Sequence, residues 1–209
     1  MSITNNVIDR MGEVIDDSGS PLTLPNNVIP IGVYCRDTTS LTVTDNVIRQ
    51  MQSQGGLGEV AGIVVESTGA ISILTEIKVS DNQLNFADNN GSDEYGIAIF
   101  GTKSDAGALS FRGVAVDNNQ LFSAAAPPVS NGILFSDGDW VTGLTDFYGV
   151  SAEDFSIQGN MISGGGFSNK GIAVECSTTA SLVRPRILEG FKITGNQVRA
   201  GTRTQLMSS

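Results

Sequence analysis

The chain has 209 residues, 40% of them apolar, and a net charge of −10, which suits one good-sized domain with a core of its own. With 22 acidic against 12 basic side chains it lacks the clustered Lys and Arg that phosphate binding needs, so neither nucleic acid nor an anionic membrane is an expected partner. No apolar run approaches the roughly 20 residues that cross a bilayer, and no signal peptide opens the sequence.

The first predicted element is a short phrase, apolar-x-x-Asn-x-apolar, written ITNNVI at 3–8. It returns as VTDNVI at 43–48, VSDNQL at 79–84, VDNNQL at 116–121, IQGNMI at 157–162 and ITGNQV at 193–198. A second phrase, Gly followed by alternating apolar residues, falls between the copies as GVYC from 32, GIVV from 62, GIAI from 96, GILF from 132 and GIAV from 171. Both phrases alternate with the period of two that marks strands, and neither is long enough for a helix. The asparagines Asn6, Asn46, Asn82, Asn119, Asn160 and Asn196 recur every 36 to 41 residues, which is a repeat protein with elastic loops. In one repeat the reading is a glycine strand GIVV, a second strand IKVS, a two-residue corner DN and a third strand QLN. Such a coil buries its apolar residues only by stacking on its neighbours, which predicts a parallel β-helix. Asparagine is expected at the corner because its short amide tolerates a left-handed backbone and can bond to the same residue of the next coil.

The two alternating phrases resemble the right-handed parallel β-helix proteins of the pectin-lyase-like superfamily, which includes polysaccharide lyases, polygalacturonases and phage tailspikes. The resemblance runs from Ile3 to Val198 and implies an all-β solenoid of about five to six coils, with an Asn ladder and long loops after the glycine strand. Residues 1–209 are then one domain, expected to be a piece of a longer protein or completed by assembly, because neither end shows a cap.

Alternation places Val33, Cys35, Ile63, Val65, Ile97, Ile99, Ile133, Phe135, Ile172 and Val174 inward. Cys35 and Cys176 then sit four coils apart, about 19 Å, too far for a disulfide. Outward on the same strands stands an apolar stripe, Tyr34, Val64, Ala98, Leu134 and Ala173, which asks to be covered. The cover is the chain's own loops, a ligand or identical neighbours, and analogy with the trimeric tailspikes favours a homo-oligomeric interface. The outer faces of the other two strands read as polar and in need of no partner, Ser80 and Asp117 among them.

The largest insertion, SDGDWVTGLTDFYG at 136–149, carries the only Trp. Trp140 and Tyr148 with Asp137 and Asp139 are the candidate glycan ligands, since a ring stacks on a pyranose while carboxylates accept its hydroxyl protons. The alternative is that these rings fold over the apolar stripe as a lid. Catalysis has weaker support: the chain has no histidine for a polygalacturonase-like site, and Glu66, Glu175 and Arg36 lie on different coils. VRPR at 183–186 matches only a fragment of a pectate-lyase signature. A paired-carboxylate hydrolase would draw on Asp137, Asp139 and Asp146. No cofactor is expected, calcium being the one cation that DNNGSDE at 88–94 could hold through Asp88, Asp93 and Glu94. The expectation is a structural and glycan-recognition module of the tailspike or surface-adhesin kind, extracellular or on a virion, with a polysaccharide lyase or hydrolase and a purely structural stem as alternatives.

Overall fold

The computed structural model describes residues 1–9, 31–51, 59–67, 73–86, 93–101, 109–123, 130–136, 150–164, 170–175 and 188–200. Strands fill them in repeating order. The chain enters through β1 (Ser2–Thr4) and β2 (Val7–Asp9), then runs β3 (Ile31–Arg36), β4 (Leu41–Thr44), β5 (Val47–Met51) and β6 (Glu59–Ser67). There follow β7 (Ile73–Ser80), β8 (Gln83–Phe86), β9 (Asp93–Gly101), β10 (Leu109–Asp117), β11 (Gln120–Ser123) and β12 (Ser130–Ser136). The last six are β13 (Val150–Gln158), β14 (Met161–Gly164), β15 (Lys170–Glu175), β16 (Leu188–Glu189), β17 (Lys192–Thr194) and β18 (Gln197–Ala200).

From β4 to β16 each strand joins the sheet of the strand three places before it, and β17 and β18 join that of the strand four places before. The pre-corner sheet runs β1-β4-β7-β10-β13-β16, with β17 also on β13; the post-corner sheet runs β2-β5-β8-β11-β14-β18; the glycine sheet runs β3-β6-β9-β12-β15. Every pairing is parallel. Three parallel sheets visited in rotation, with no helix among the described residues, fit a parallel β-helix. Among those residues no helix is long and apolar enough to cross a membrane.

The corner between the pre- and post-corner sheets differs from expectation in one respect. The left-handed residue is the one before the ladder asparagine: Asn5, Asp45, Asp81, Asn118, Gly159 and Gly195, with φ between 56° and 67°. These are the residue types for which that conformation costs least. The next residue is thereby free to use its amide sideways along the stack. Asn82 Nδ2 donates to Asn119 Oδ1 at 2.9 Å, and the same bond joins Asn6 to Asn46, Asn46 to Asn82, Asn119 to Asn160 and Asn160 to Asn196 at 2.8 to 3.0 Å. Each acceptor Oδ1 also takes the backbone N–H of the preceding asparagine. The four middle asparagines are fully buried, so the column satisfies polar groups that water cannot reach.

The glycines of the second phrase have a separate cause. A Cβ on Gly62 would lie 2.6 Å from the carbonyl oxygen of Gly96 and 3.0 Å from Leu84 Cδ2. Gly32, Gly96 and Gly132 meet the carbonyl of the next glycine and an interior side chain in the same way, and Gly171 meets Val198. The glycine column is therefore a line of closest approach between coils.

Pre-corner strands are longer than the sequence suggested and bend in mid-course. Glu76, Gly113 and Asp154 stand at corresponding positions inside β7, β10 and β13, with Ser40 just before β4 and Gly190 just after β16 in the same row, all with left-handed φ.

Inward residues fall as alternation requires: Val33, Cys35, Ile63, Val65, Ile97, Ile99, Ile133, Phe135 and Ile172 join one core, with Val174 packed against it. Phe135 contacts Phe111, Phe155 and Phe191, and the last two rings stack at 4.7 Å. Cys35 is a buried free thiol, and Cys176 lies outside the described residues.

Two expectations about the surface change. Ser80, read as outward and wet, is buried and lies 3.3 Å from Thr44 Oγ1. The apolar stripe is no open seam either. Val64, Ala98, Leu134 and Ala173 are 0 to 4% exposed within one chain and form a second apolar cluster with Ala61 and Phe100. Of the five stripe residues Tyr34 alone, at 44%, stays exposed.

Candidate functional site

Trp140, Tyr148, Asp137, Asp139 and Asp146 lie outside the described residues, as does Asp88. Asp93 and Glu94 open β9 and pair through the backbone with Glu59 and Val60. Among the described residues no group of three or more His, Cys, Asp or Glu could hold a metal ion.

On the outer face of the glycine sheet, parallel register sets Tyr34 and Arg36 of β3 beside Val64 and Glu66 of β6. Tyr34 Oη donates a hydrogen bond to Glu66 Oε2, and the Asp37 carboxylate lies 3.8 Å from Arg36 Nε. Partial burial of the phenol, then the bond to Glu66, push Tyr34 from its ordinary 10.0 up to about 12. A phenol held that high stays protonated at neutral pH, which suits a donor to a buried carboxylate and not a nucleophile. Because the native state holds the proton more tightly than the unfolded chain, the stability Tyr34 contributes is complete below pH 10 and lost as pH climbs toward 12. Chemical melts of wild type and Tyr34→Phe should therefore differ most at neutral pH and converge across that window; parallel pH profiles would contradict the assignment.

The post-corner sheet presents a different surface. A groove of about 230 Å³ crosses it from β5 to β14, lined outward by Val47, Arg49, Gln83, Asn85, Gln120, Phe122, Met161 and Ser163. Parallel register puts Gln120 between Gln83 and Met161, and Phe122 between Asn85 and Ser163, so the groove is two adjacent rows of side chains. Phe122 is 44% and Met161 41% exposed, among the few large apolar side chains the described surface leaves open. Around them stand amides, which can donate and accept together. A half-exposed ring framed by amides can stack on one face of a sugar while its hydroxyls are met at the rim.

One end of this groove is built by an irregularity. Between β5 and β8 the register shifts: Ile48 pairs with Leu84 and Met51 with Phe86, so Arg49 and Gln50 together oppose Asn85. Gln50 takes up the extra residue with φ of 51°, and both side chains point to solvent while Met51 returns to the core. Sequence reasoning passed over this face as polar and sufficient to itself. Two signals were there: a phenylalanine beside an inward leucine, and inward Ile48 and Met51 three residues apart where alternation demands two.

Compared with protein-family models, curated proteins and solved structures, the chain matches none.

Proposed function

We propose that the chain is a glycan-recognition module of the right-handed parallel β-helix type, of about five to six coils, displayed outside the cell or on a virion as tailspikes and surface adhesins are. The observation that carries this reading is the exposed Phe122 among the amides of Gln83, Asn85 and Gln120 on one rigid sheet. A parallel sheet fixes such groups without ordering a loop, and preorganisation of this kind favours binding of flexible polymers. Trp140 and Tyr148, with Asp137 and Asp139, stay as a second place where the same polymer could be held.

The test is a glycan array probed with the purified chain, followed by calorimetry on whatever binds. Saturable binding without release of shorter products supports recognition. Cleavage that disappears in Asp137→Ala or Asp139→Ala replaces it with a polysaccharide lyase or hydrolase, and binding to nothing leaves a structural stem. Light scattering on the same sample reads the trimer expected by analogy; since most of the apolar stripe is already buried in one chain, a monomer needs no further cover.

A further inference from the structure

We infer that the groove over the post-corner sheet is the glycan site and that it takes an acidic oligosaccharide, its carboxylate on Arg49 and a neighbouring ring on Phe122. This rests on the glycan-recognition reading and adds to it a place and a substrate class. The chain as a whole repels anions at net charge −10, yet this groove is lined by a guanidinium and by no carboxylate. At an ionic strength where fields fade within about 8 Å, the lining counts for more than distant charge.

Arg49 is exposed; its register partner on β2 is the exposed Asp9, which stands beside it outside the groove lining, and no hydrogen bond or ion pair engages Arg49 among the described residues. The bulge supplies the second, independent observation. A left-handed glutamine is a strained choice on a strand, and it is what turns Arg49 and Gln50 outward together while Met51 keeps its place in the core. A planar guanidinium presented in this way matches a sugar carboxylate in two-point geometry.

Length follows from the stacking. Arg49 on β5 and Phe122 on β11 are separated by β8, so they stand about 10 Å apart at ~4.8 Å per strand. One sugar ring cannot reach both. Gln83 and Asn85 on β8 and Gln120 on β11 lie along that span, placed to meet ring hydroxyls.

The experiment uses the full chain and two sets of probes, uronic-acid and sialic-acid oligomers, each beside its carboxyl-reduced neutral form and its monomer. The expected result is binding of an acidic oligomer, at least tenfold weaker for the neutral form and the monomer. Arg49→Ala and Phe122→Ala should each weaken it by roughly tenfold or more, with Arg49→Lys between, while Lys78→Ala on the neighbouring sheet leaves it unchanged. Both positions are exposed, so unaltered melting temperatures verify that the fold survives. Equal binding of acidic and neutral oligomers, or indifference to Arg49→Ala, overturns the acidic specificity. Binding that survives both groove variants and is lost in Trp140→Ala overturns the site and leaves glycan recognition standing. An array with no glycan bound sinks both.

Discussion

Asn82→Ala is expected to cost about 3–5 kcal/mol where Asn6→Ala costs less than about 1. The two positions occupy the same place in the same phrase, and what separates them is water. Asn82 is fully buried; its amide donates to Val43 O, Ser80 O and Asn119 Oδ1, and its Oδ1 accepts from the backbone and side chain of Asn46. Alanine removes all five contacts and leaves the Asn46 N–H facing a methyl group, at about 1–3 kcal/mol for each buried group left unpaired. Asn6 is exposed, and its amide donates only to Thr4 O and Asn46 Oδ1. Solvent can replace the first, and the second sits at the margin. Urea melts of the two variants decide the matter: equal costs would mean that the ladder is decoration on a fold held by its apolar core.

Much of this architecture was legible because the period-two pattern leaves little choice. Once Val33 and Cys35 are inward, Tyr34 and Arg36 are outward, and repetition of the phrase forces each strand onto its counterpart. The chemistry of the corner was assigned one residue late. Asparagine's tolerance for left-handed φ made Asn82 the natural candidate, but the series Asn5, Asp45, Asp81, Asn118, Gly159 and Gly195 has the same signature and varies as a backbone requirement should. The ladder position does not vary, because it needs an amide that donates and accepts along the stack. A conformational demand admits several residue types, and a two-way hydrogen bond admits one.

Burial of the outer stripe was not legible, for a different reason. Alternation states which way a side chain points relative to its own sheet and says nothing of what lies over it. Val64, Ala98 and Leu134 point away from the main core and are nonetheless buried, in a second cluster that draws on Phe100 from the adjacent row. Phe122 shows the converse. It occupies an equivalent outward position on another sheet and remains open, so that apolar residues of like orientation serve packing in one place and recognition in the other.

Two glycines separate the causes that put glycine in this chain, and Gly62→Ala carries the second large effect. Gly62 shows no left-handed φ, so alanine meets no conformational penalty there, only the carbonyl oxygen of Gly96 at 2.6 Å. That atom belongs to the backbone of the next coil and cannot move without parting two strands of the glycine sheet. The expected cost is about 3 kcal/mol, the upper range of overpacking, and shrinking Leu84 cannot rescue it because the backbone clash remains. Gly113 is the opposite case. Its φ is +67°, yet a Cβ there meets nothing closer than 3.8 Å, and its stack neighbours Glu76 and Asp154 carry side chains in the same conformation. Gly113→Ala should cost about 1–2 kcal/mol for the left-handed backbone alone, and Gly113→Asn considerably less. Asparagine at 62 should be no better than alanine. If Gly62→Asn recovered stability as Gly113→Asn does, the glycine column would be a set of turns, and the close approach of coils would have to be explained by something other than the missing Cβ.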